Sequence, residues 1–204
     1  MPRFSLATKL LIVQHNRERH KPTNTARLGL AMFEDAQMIH YGARDTELDT
    51  APLEQPDRDY VLLFPGDEAR PLAQAPTPAP GRVRTLVVLD GTWHQCSRMA
   101  RRAPLITEMP CYTLPDGPPS RWRIRTAPRP EALSTFEAIC RATDVLTRAE
   151  SDSDVVTAVD ADVSAAVDRE RPQIFDLDAA FAWFDVLVAR MWQMRGCGPG
   201  GRSS

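Results

Sequence analysis

No run of apolar residues in this 204-residue chain approaches the roughly 20 that a membrane-spanning helix needs. The opening Met1-Pro2-Arg3-Phe4-Ser5-Leu6-Ala7 has neither the length nor the pattern of a secretory signal, so the cytoplasm is the expected compartment. The four cysteines, at positions 96, 111, 140 and 197, include no closely spaced pair of the kind that ligates zinc. Reduced, partly buried thiols are expected instead. Also missing are a glycine-rich phosphate loop, a Walker motif, a Gly-x-Ser-x-Gly elbow and any His/Asp/Glu cluster with metal-ligand spacing. These absences argue against NTPases and hydrolases, and no metal is expected.

What is present is the composition of an ordinary globule, 43% hydrophobic and 25% charged. The length suits one domain, which buries roughly 70% of its unfolded surface and needs no covalent staple. Eighteen prolines, well above the usual roughly 5% of residues, predict many irregular connections. The net charge of −2 conceals an asymmetry. Between Arg82 and Arg129 nine arginines face only Asp90, Glu108 and Asp116, whereas between Asp144 and Asp185 eleven acids face only Arg148, Arg169 and Arg171. Polyanion binding depends on the local patch rather than the total, so nucleic acid remains a candidate partner.

Apolar runs at Lys9 to His15, Gln37 to Tyr41, Tyr60 to Phe64 and Thr85 to Leu89 read as strands. Asn24 or Thr25 caps a helix with Leu28, Ala31 and Met32 on one stripe. Pro71, Pro76, Pro78 and Pro80 stiffen a surface connection. A helix follows from Trp93 to Ala103, stopped by Pro104, and Trp122 to Arg125 reads as another strand. Ser134 and Glu137 have capping-box spacing for a helix running to about Arg148. Val155 to Val167 carries a helical stripe, and a last helix from near Asp176 carries Leu177, Phe181, Phe184, Val188 and Met191. The Gly- and Ser-rich stretch 196–204 is expected to be disordered. Alternating strands and helices predict an α/β fold, a mostly parallel sheet with helices on both faces.

The most informative junction is Asp90-Gly91-Thr92-Trp93, between an apolar strand and an arginine-rich helix. Ligands of open α/β sheets sit beyond the carboxyl ends of strands, which puts a site here. Asp90 either orients the turn or serves a substrate as base or orienting carboxylate. Thr92 and Gln95 have capping-box spacing, so Thr92 reads as a cap. Trp93 either fills the core or stacks on a base. Arg98, Arg101 and Arg102 share a helical face with no acid at pairing distance within the helix. Arg121, Arg123 and Arg125 would lie on one side of the short strand. A solvated face is the usual explanation for such clusters, but two uncompensated basic surfaces in one region raise the weight of phosphate contacts.

Several segments in order resemble the DTW-domain family. They are Gln14-His15-x-x-Glu18, Pro22-x-Asn24-Thr25-x-Arg27-Leu28, Leu63-Phe64-Pro65-Gly66, Leu89-Asp90-Gly91-Thr92-Trp93, Arg123-x-Arg125 and Leu133-Ser134-Thr135-x-Glu137-Ala138. The resemblance runs from about residue 9 to about residue 148. It implies a fold related to the SPOUT methyltransferases with a C-terminal trefoil knot, which no composition could suggest because knots are so rare. The resemblance also implies transfer of the 3-amino-3-carboxypropyl group of S-adenosylmethionine to N3 of a tRNA uridine, releasing methylthioadenosine, without a metal.

The implied donor-binding residues are Phe64, Pro65, Gly66, Leu89, Asp90, Gly91, Thr92, Trp93, Leu133, Ser134 and Thr135, with Asp90 catalytic. Those expected to meet tRNA are Arg17, Lys21, Arg27, Arg98, Arg101, Arg102, Arg123 and Arg125. The expected organisation is a single domain over 1–195, with 149–195 a helical extension packed on it; the sequence leaves the oligomeric state open, with a monomer favoured. Many family members begin with a cysteine-rich zinc segment, and nothing of the kind stands before His15, so altered tRNA recognition is expected. Two other classes stay open: a SPOUT-like RNA methyltransferase, which would release adenosylhomocysteine, and a non-catalytic RNA-binding module, which would bind tRNA without the sulfonium donor.

Overall fold

A computed structural model describes residues 1–43, 47–66, 68–124, 132–157 and 175–194, with backbone alone at 152–157. The strands are β1 (Lys9–His15), β2 (Ala36–Tyr41), β3 (Arg58–Leu63), β4 (Arg70–Pro71), β5 (Val83–Asp90) and β6 (Cys111–Thr113). The helices are α1 (Ala26–Met32), α2 (Trp93–Arg102), α3 (Thr135–Thr157) and α4 (Leu177–Met194). All strand pairs are parallel, in the order β2-β1-β5-β3-β6-β4. The expected α/β class, consistent with a SPOUT-like fold, is the one observed. The chain beyond β6 includes residues 125–131, outside the described residues, so the knot stays an expectation.

The central strands read as unbroken apolar runs because both of their faces are covered. Leu10 and Ile12 of β1, Val61 and Leu63 of β3, and Leu86 and Val88 of β5 point into a core completed by α1, α3 and α4. Their neighbours Leu11, Val13, Leu62, Val87 and Leu89 point the other way, against Cys96 and Met99 of α2 and Ile106 beyond it. Side-chain alternation along a strand thus gives each layer its own core. On the first face Phe136 of α3 lies 4.8 Å from Phe184 of α4, and Trp122 stacks on Phe184 at 5.6 Å. Such pairs add about 0.5–1.5 kcal/mol each beyond area burial.

Several expectations need correction. Trp122 to Ile124 is a turn, not a strand. Trp122 and Ile124 are buried and Arg123 exposed, so the alternation is real but is satisfied by loop packing against α4. β6 takes its place in the sheet. In α1 the buried residues are Ala26, Gly29 and Met32 while Ala31 is exposed. The proline-rich connection is not wholly superficial, since Arg70–Pro71 pairs with β6 and Leu72 is fully buried. α3 continues to Thr157, past the expected end near Arg148. Arg84, 4% exposed, ties β5 to this extension through an ion pair with Glu150 at 2.6 Å. In α4, Phe181 and Phe184 join the main core, with Leu177, Val188 and Met191 packed beside them. Residues 158–174 and 195–204, including most of the acidic segment, Cys197 and the expected disordered tail, lie outside the described residues. No helix among the described residues is long and apolar enough to cross a membrane.

Candidate functional site

Parallel pairing brings the carboxyl ends of β3, β5 and β6 to one edge, and the expected site residues converge there. A cavity of about 420 Å³ opens beyond these strands. Phe64 and Pro65 after β3, Leu89, Gly91 and Trp93 around the end of β5, and Leu133 and Thr135 at the start of α3 all line it. A second cavity of about 380 Å³ adjoins it, lined by Asp90, Thr92 and Ser134 together with Thr23, Asn24, Thr25, Ser120 and Trp122. Gly91, Trp93, Leu133 and Thr135 border both cavities and so form a common wall. Gly66 lines neither. Trp93, half-buried at the first position of α2, belongs to that wall rather than to the core.

Asp90 is 3% exposed and ties three distant segments together. Its Oδ2 accepts from Gln14 Nε2 at 2.9 Å and from Asn24 Nδ2 at 2.5 Å, and its Oδ1 accepts from Thr135 Oγ1 at 2.7 Å. Asn24 uses both ends of its amide, since its Oδ1 accepts from the backbone N–H of Ala26 at 3.1 Å and so caps α1. A carboxylate offers about four acceptor positions. Three are taken by side chains, and the fourth, on Oδ1, is met by no donor among the described residues. That open position belongs to a residue bordering the second cavity.

The turn after Asp90 is built for close approach. A Cβ on Gly91 would stand 3.0 Å from Gln95 Cβ and 3.0 Å from Gln95 Oε1, so glycine keeps the turn pressed on α2. Thr92 is the cap that its spacing predicted. Its Oγ1 accepts from Gln95 N–H while Gln95 Oε1 accepts from Thr92 N–H, a complete capping box. Cys96 lines the larger cavity, but burial, reinforced by the charges of Asp90 and Glu18, pushes its thiol up to about 12. It is therefore protonated at neutral pH and no nucleophile. Cys111 and Cys140 are free thiols too. Among the described residues no group of three or more His, Cys, Asp or Glu could hold a metal ion.

Glu137 does more than close its box. Fully buried, it accepts from Ser134 N–H and Oγ, from Ser120 Oγ at 2.6 Å and from Arg121 N–H at 2.6 Å. It thereby clamps the 120–121 loop onto the start of α3, fixing Ser120, Ser134 and Trp122 around the second cavity.

The basic residues fall into separate groups. Arg17, Lys21 and Arg98 lie around His15 at the carboxyl end of β1; burial first, then Arg17, hold the His15 pKa below its ordinary value. Lys21 is partly neutralised by Glu18 at 2.5 Å. Arg27 donates to the Arg19 carbonyl and, with Arg19, lies near His40. Arg98, Arg101 and Arg102 are exposed and make no ion pair among the described residues. The last two occupy the final turn of α2, where positive charge also suits the helix dipole. Arg123 is exposed in the turn, away from any strand, and Arg125 lies outside the described residues.

Sequence reasoning passed over a whole side of the larger cavity. Tyr112 through Gly117, running out of β6, line it, as do Ala138 and Arg141 on α3. The signal was there in Pro115-Asp116-Gly117, a turn directly after a short apolar run. Gln14 stood in the matched motifs without a role and Asn24 only as a candidate helix cap; the hydrogen bonds to Asp90 add a role for both.

The sequence is 29% identical over 147 residues to a protein named tRNA-uridine aminocarboxypropyltransferase 2 from Macaca fascicularis, covering 69% of this chain and 48% of that one. It is 28% identical over 146 residues to the protein of the same name from Mus musculus, covering 70% of this chain and 49% of that one. The chain thus spans about half the length of the curated relatives it matches. No solved structure matches. The model of the DTW domain matches residues 1–167, and the chain belongs to the DTW-domain family.

Proposed function

We propose that this chain is a tRNA-modifying transferase of the cytoplasm that moves the 3-amino-3-carboxypropyl group of S-adenosylmethionine to N3 of a tRNA uridine. The observation that carries the reading is the pair of adjoining cavities with a common wall at Gly91, Trp93, Leu133 and Thr135. The larger takes the donor and the smaller takes the base. A volume of about 420 Å³ lies within the usual range of small-molecule sites, and its walls offer the apolar and aromatic surface an adenine and a thioether need.

The sulfonium is already an activated leaving group. The new bond joins N3 to the methylene beside sulfur, the carbon–sulfur bond breaks with its electron pair going to sulfur, and methylthioadenosine leaves. The N3 proton must also depart. Asp90 has one open acceptor position beside the second cavity, so it receives the N3–H as a hydrogen bond, orients the uracil and accepts the proton as the bond forms. Holding two reactants in attack geometry is worth on the order of 7–11 kcal/mol, whereas a positioned base adds roughly 10²–10⁴-fold. Orientation therefore outweighs proton removal, which suits a carboxylate locked by three donors. Arg17, Arg98, Arg101 and Arg102 supply phosphate contacts.

The test is incubation of the protein with S-adenosylmethionine and tRNA, followed by mass spectrometry of nucleosides and small products. Methylthioadenosine with aminocarboxypropyluridine is expected. Adenosylhomocysteine would make the chain a methyltransferase, and binding of tRNA without uptake of the donor would leave an RNA-binding module.

A further inference from the structure

The larger cavity carries two opposite charges on one stretch of its wall. Asp116, in the loop after β6, and Arg141, on the second turn of α3, both line it. Arg141 is packed in place. A Cβ on Gly117 would stand 2.8 Å from its Nη1, so the guanidinium lies close against that residue, and its Nη2 donates to the Pro118 carbonyl at 2.5 Å. Asp116 is the next residue along, yet the two make no ion pair, and Arg141 has no carboxylate partner among the described residues. Burial lowers the pKa of Arg141, with Glu137 opposing and Arg121 adding to the effect. Glu137 itself is occupied by Ser120, Arg121 and Ser134. An arginine has five N–H donors, and here one is spent on a carbonyl. A half-buried guanidinium left without an anion beside a cavity is costly unless a ligand supplies one.

We propose that Arg141 and Asp116 together bind the zwitterionic end of an α-amino-acid ligand, the guanidinium holding its carboxylate and Asp116 its ammonium. This rests on the reading of the larger cavity as the donor site, and it assigns the part of the donor held there. Leu63, Val88, Leu89 and Leu114, which line the same cavity, suit the uncharged remainder. Anchoring the amino-acid end decides which carbon on the sulfonium faces the second cavity. The pair thus selects transfer of the aminocarboxypropyl group over transfer of the methyl group.

Calorimetry with three probes tests this: S-adenosylmethionine, its decarboxylated analogue, and methylthioadenosine, which lacks the whole amino-acid end. Arg141→Gln should weaken S-adenosylmethionine roughly ten- to hundredfold, as loss of a charge-assisted hydrogen bond does. It should leave methylthioadenosine within about twofold, which also shows that the variant folds. Against the decarboxylated analogue the same substitution should cost almost nothing, because the group it meets is gone. Arg141→Lys should restore part of the loss, and Asp116→Asn should weaken both ammonium-bearing probes. Equal weakening of all three probes by Arg141→Gln, or of none, overturns the proposal while leaving the donor site standing. A wild-type protein that takes up neither S-adenosylmethionine nor methylthioadenosine overturns the donor site as well.

Discussion

Asp90 and Glu137 are both buried carboxylates, 3% and 0% exposed, and each is met by several uncharged donors. Their donors differ in kind. Glu137 receives a backbone N–H on each oxygen, Arg121 on Oε1 and Ser134 on Oε2. Asp90 receives only side chains: two amides on Oδ2 and a hydroxyl on Oδ1. A backbone N–H cannot turn round, whereas a hydroxyl rotates and accepts as readily as it donates. One acid is therefore irreplaceable as a double acceptor. The other sits in a network that tolerates an amide and keeps one acceptor position in reserve. The first is a clamp and the second is equipped for a ligand.

Exchange of each acid for its amide separates the two roles. In Asp90→Asn the amide oxygen can serve Gln14 and Asn24 while the NH₂ donates to Thr135, so the network survives. The open acceptor, however, becomes a donor. Transfer should fall by roughly 10²–10⁴-fold, the usual worth of a positioned base, with little change in melting temperature. Near-normal turnover would remove Asp90 from the chemistry. Asp90→Ala is the poorer probe, because it orphans two buried amide donors, Gln14 and Asn24, at about 1–3 kcal/mol each and so mixes stability with catalysis.

Glu137→Gln should do the reverse. Whichever way the amide sits, its NH₂ confronts a backbone N–H, leaving that donor unsatisfied at a cost of about 1–3 kcal/mol. Denaturant titration should register the loss, while donor uptake by the folded fraction is retained. If Glu137→Gln proves as stable as wild type, the distinction between backbone and side-chain donors is not what separates the two acids.

A third, smaller effect tests the basic rim against both. Replacing Arg98, Arg101 and Arg102 together touches neither network. It should weaken tRNA binding and flatten its salt dependence by up to roughly 0.7 log units of slope for each phosphate no longer neutralised on single-stranded RNA. Unchanged binding across several salt concentrations would return these residues to an ordinary solvated face. Arg101 and Arg102 alone should contribute less than Arg98, which lies beside His15, whereas they sit in the final turn of α2.

How much of this was legible in the sequence follows from the range of the interactions. The strand–turn–helix around Asp90 is local, so β5, the capping box at Thr92 and the box at Ser134 could be read from spacing. The partners of Asp90 could not, because Gln14, Asn24 and Thr135 stand 76, 66 and 45 residues away. β4 and β6 were missed for a related reason. Two and three residues are too few to show alternation, and only pairing with β3 and with each other makes them strands. Trp122 to Ile124 shows the opposite failure, a convincing alternation with no strand beside it. The unread loop after β6 matters most, since it carries Asp116 and Gly117 into the larger cavity.

His15 follows Gln14 at the end of β1 and stands beside Arg17 and Arg98 of the rim. Its Nδ1 accepts from Arg17 N–H at 3.2 Å, a bond only the unprotonated ring can make. Burial and Arg17 hold its pKa below the ordinary value, and His40 is lowered by burial and Arg19. Because the folded pKa lies below the unfolded one, the unfolded chain binds protons first as pH falls. The stabilisation is complete above about pH 6.5 and is lost as pH drops through the folded pKa. Melting temperature should thus decline as pH falls below about 6.5, and His15→Gln should flatten part of that decline. Protonation also adds positive charge beside Arg17 and Arg98, so tRNA affinity should rise over the same range while stability falls. Two opposite trends, both reduced by His15→Gln, would place His15 on the RNA-facing rim; a stability trend alone would leave it a cap of the turn after β1.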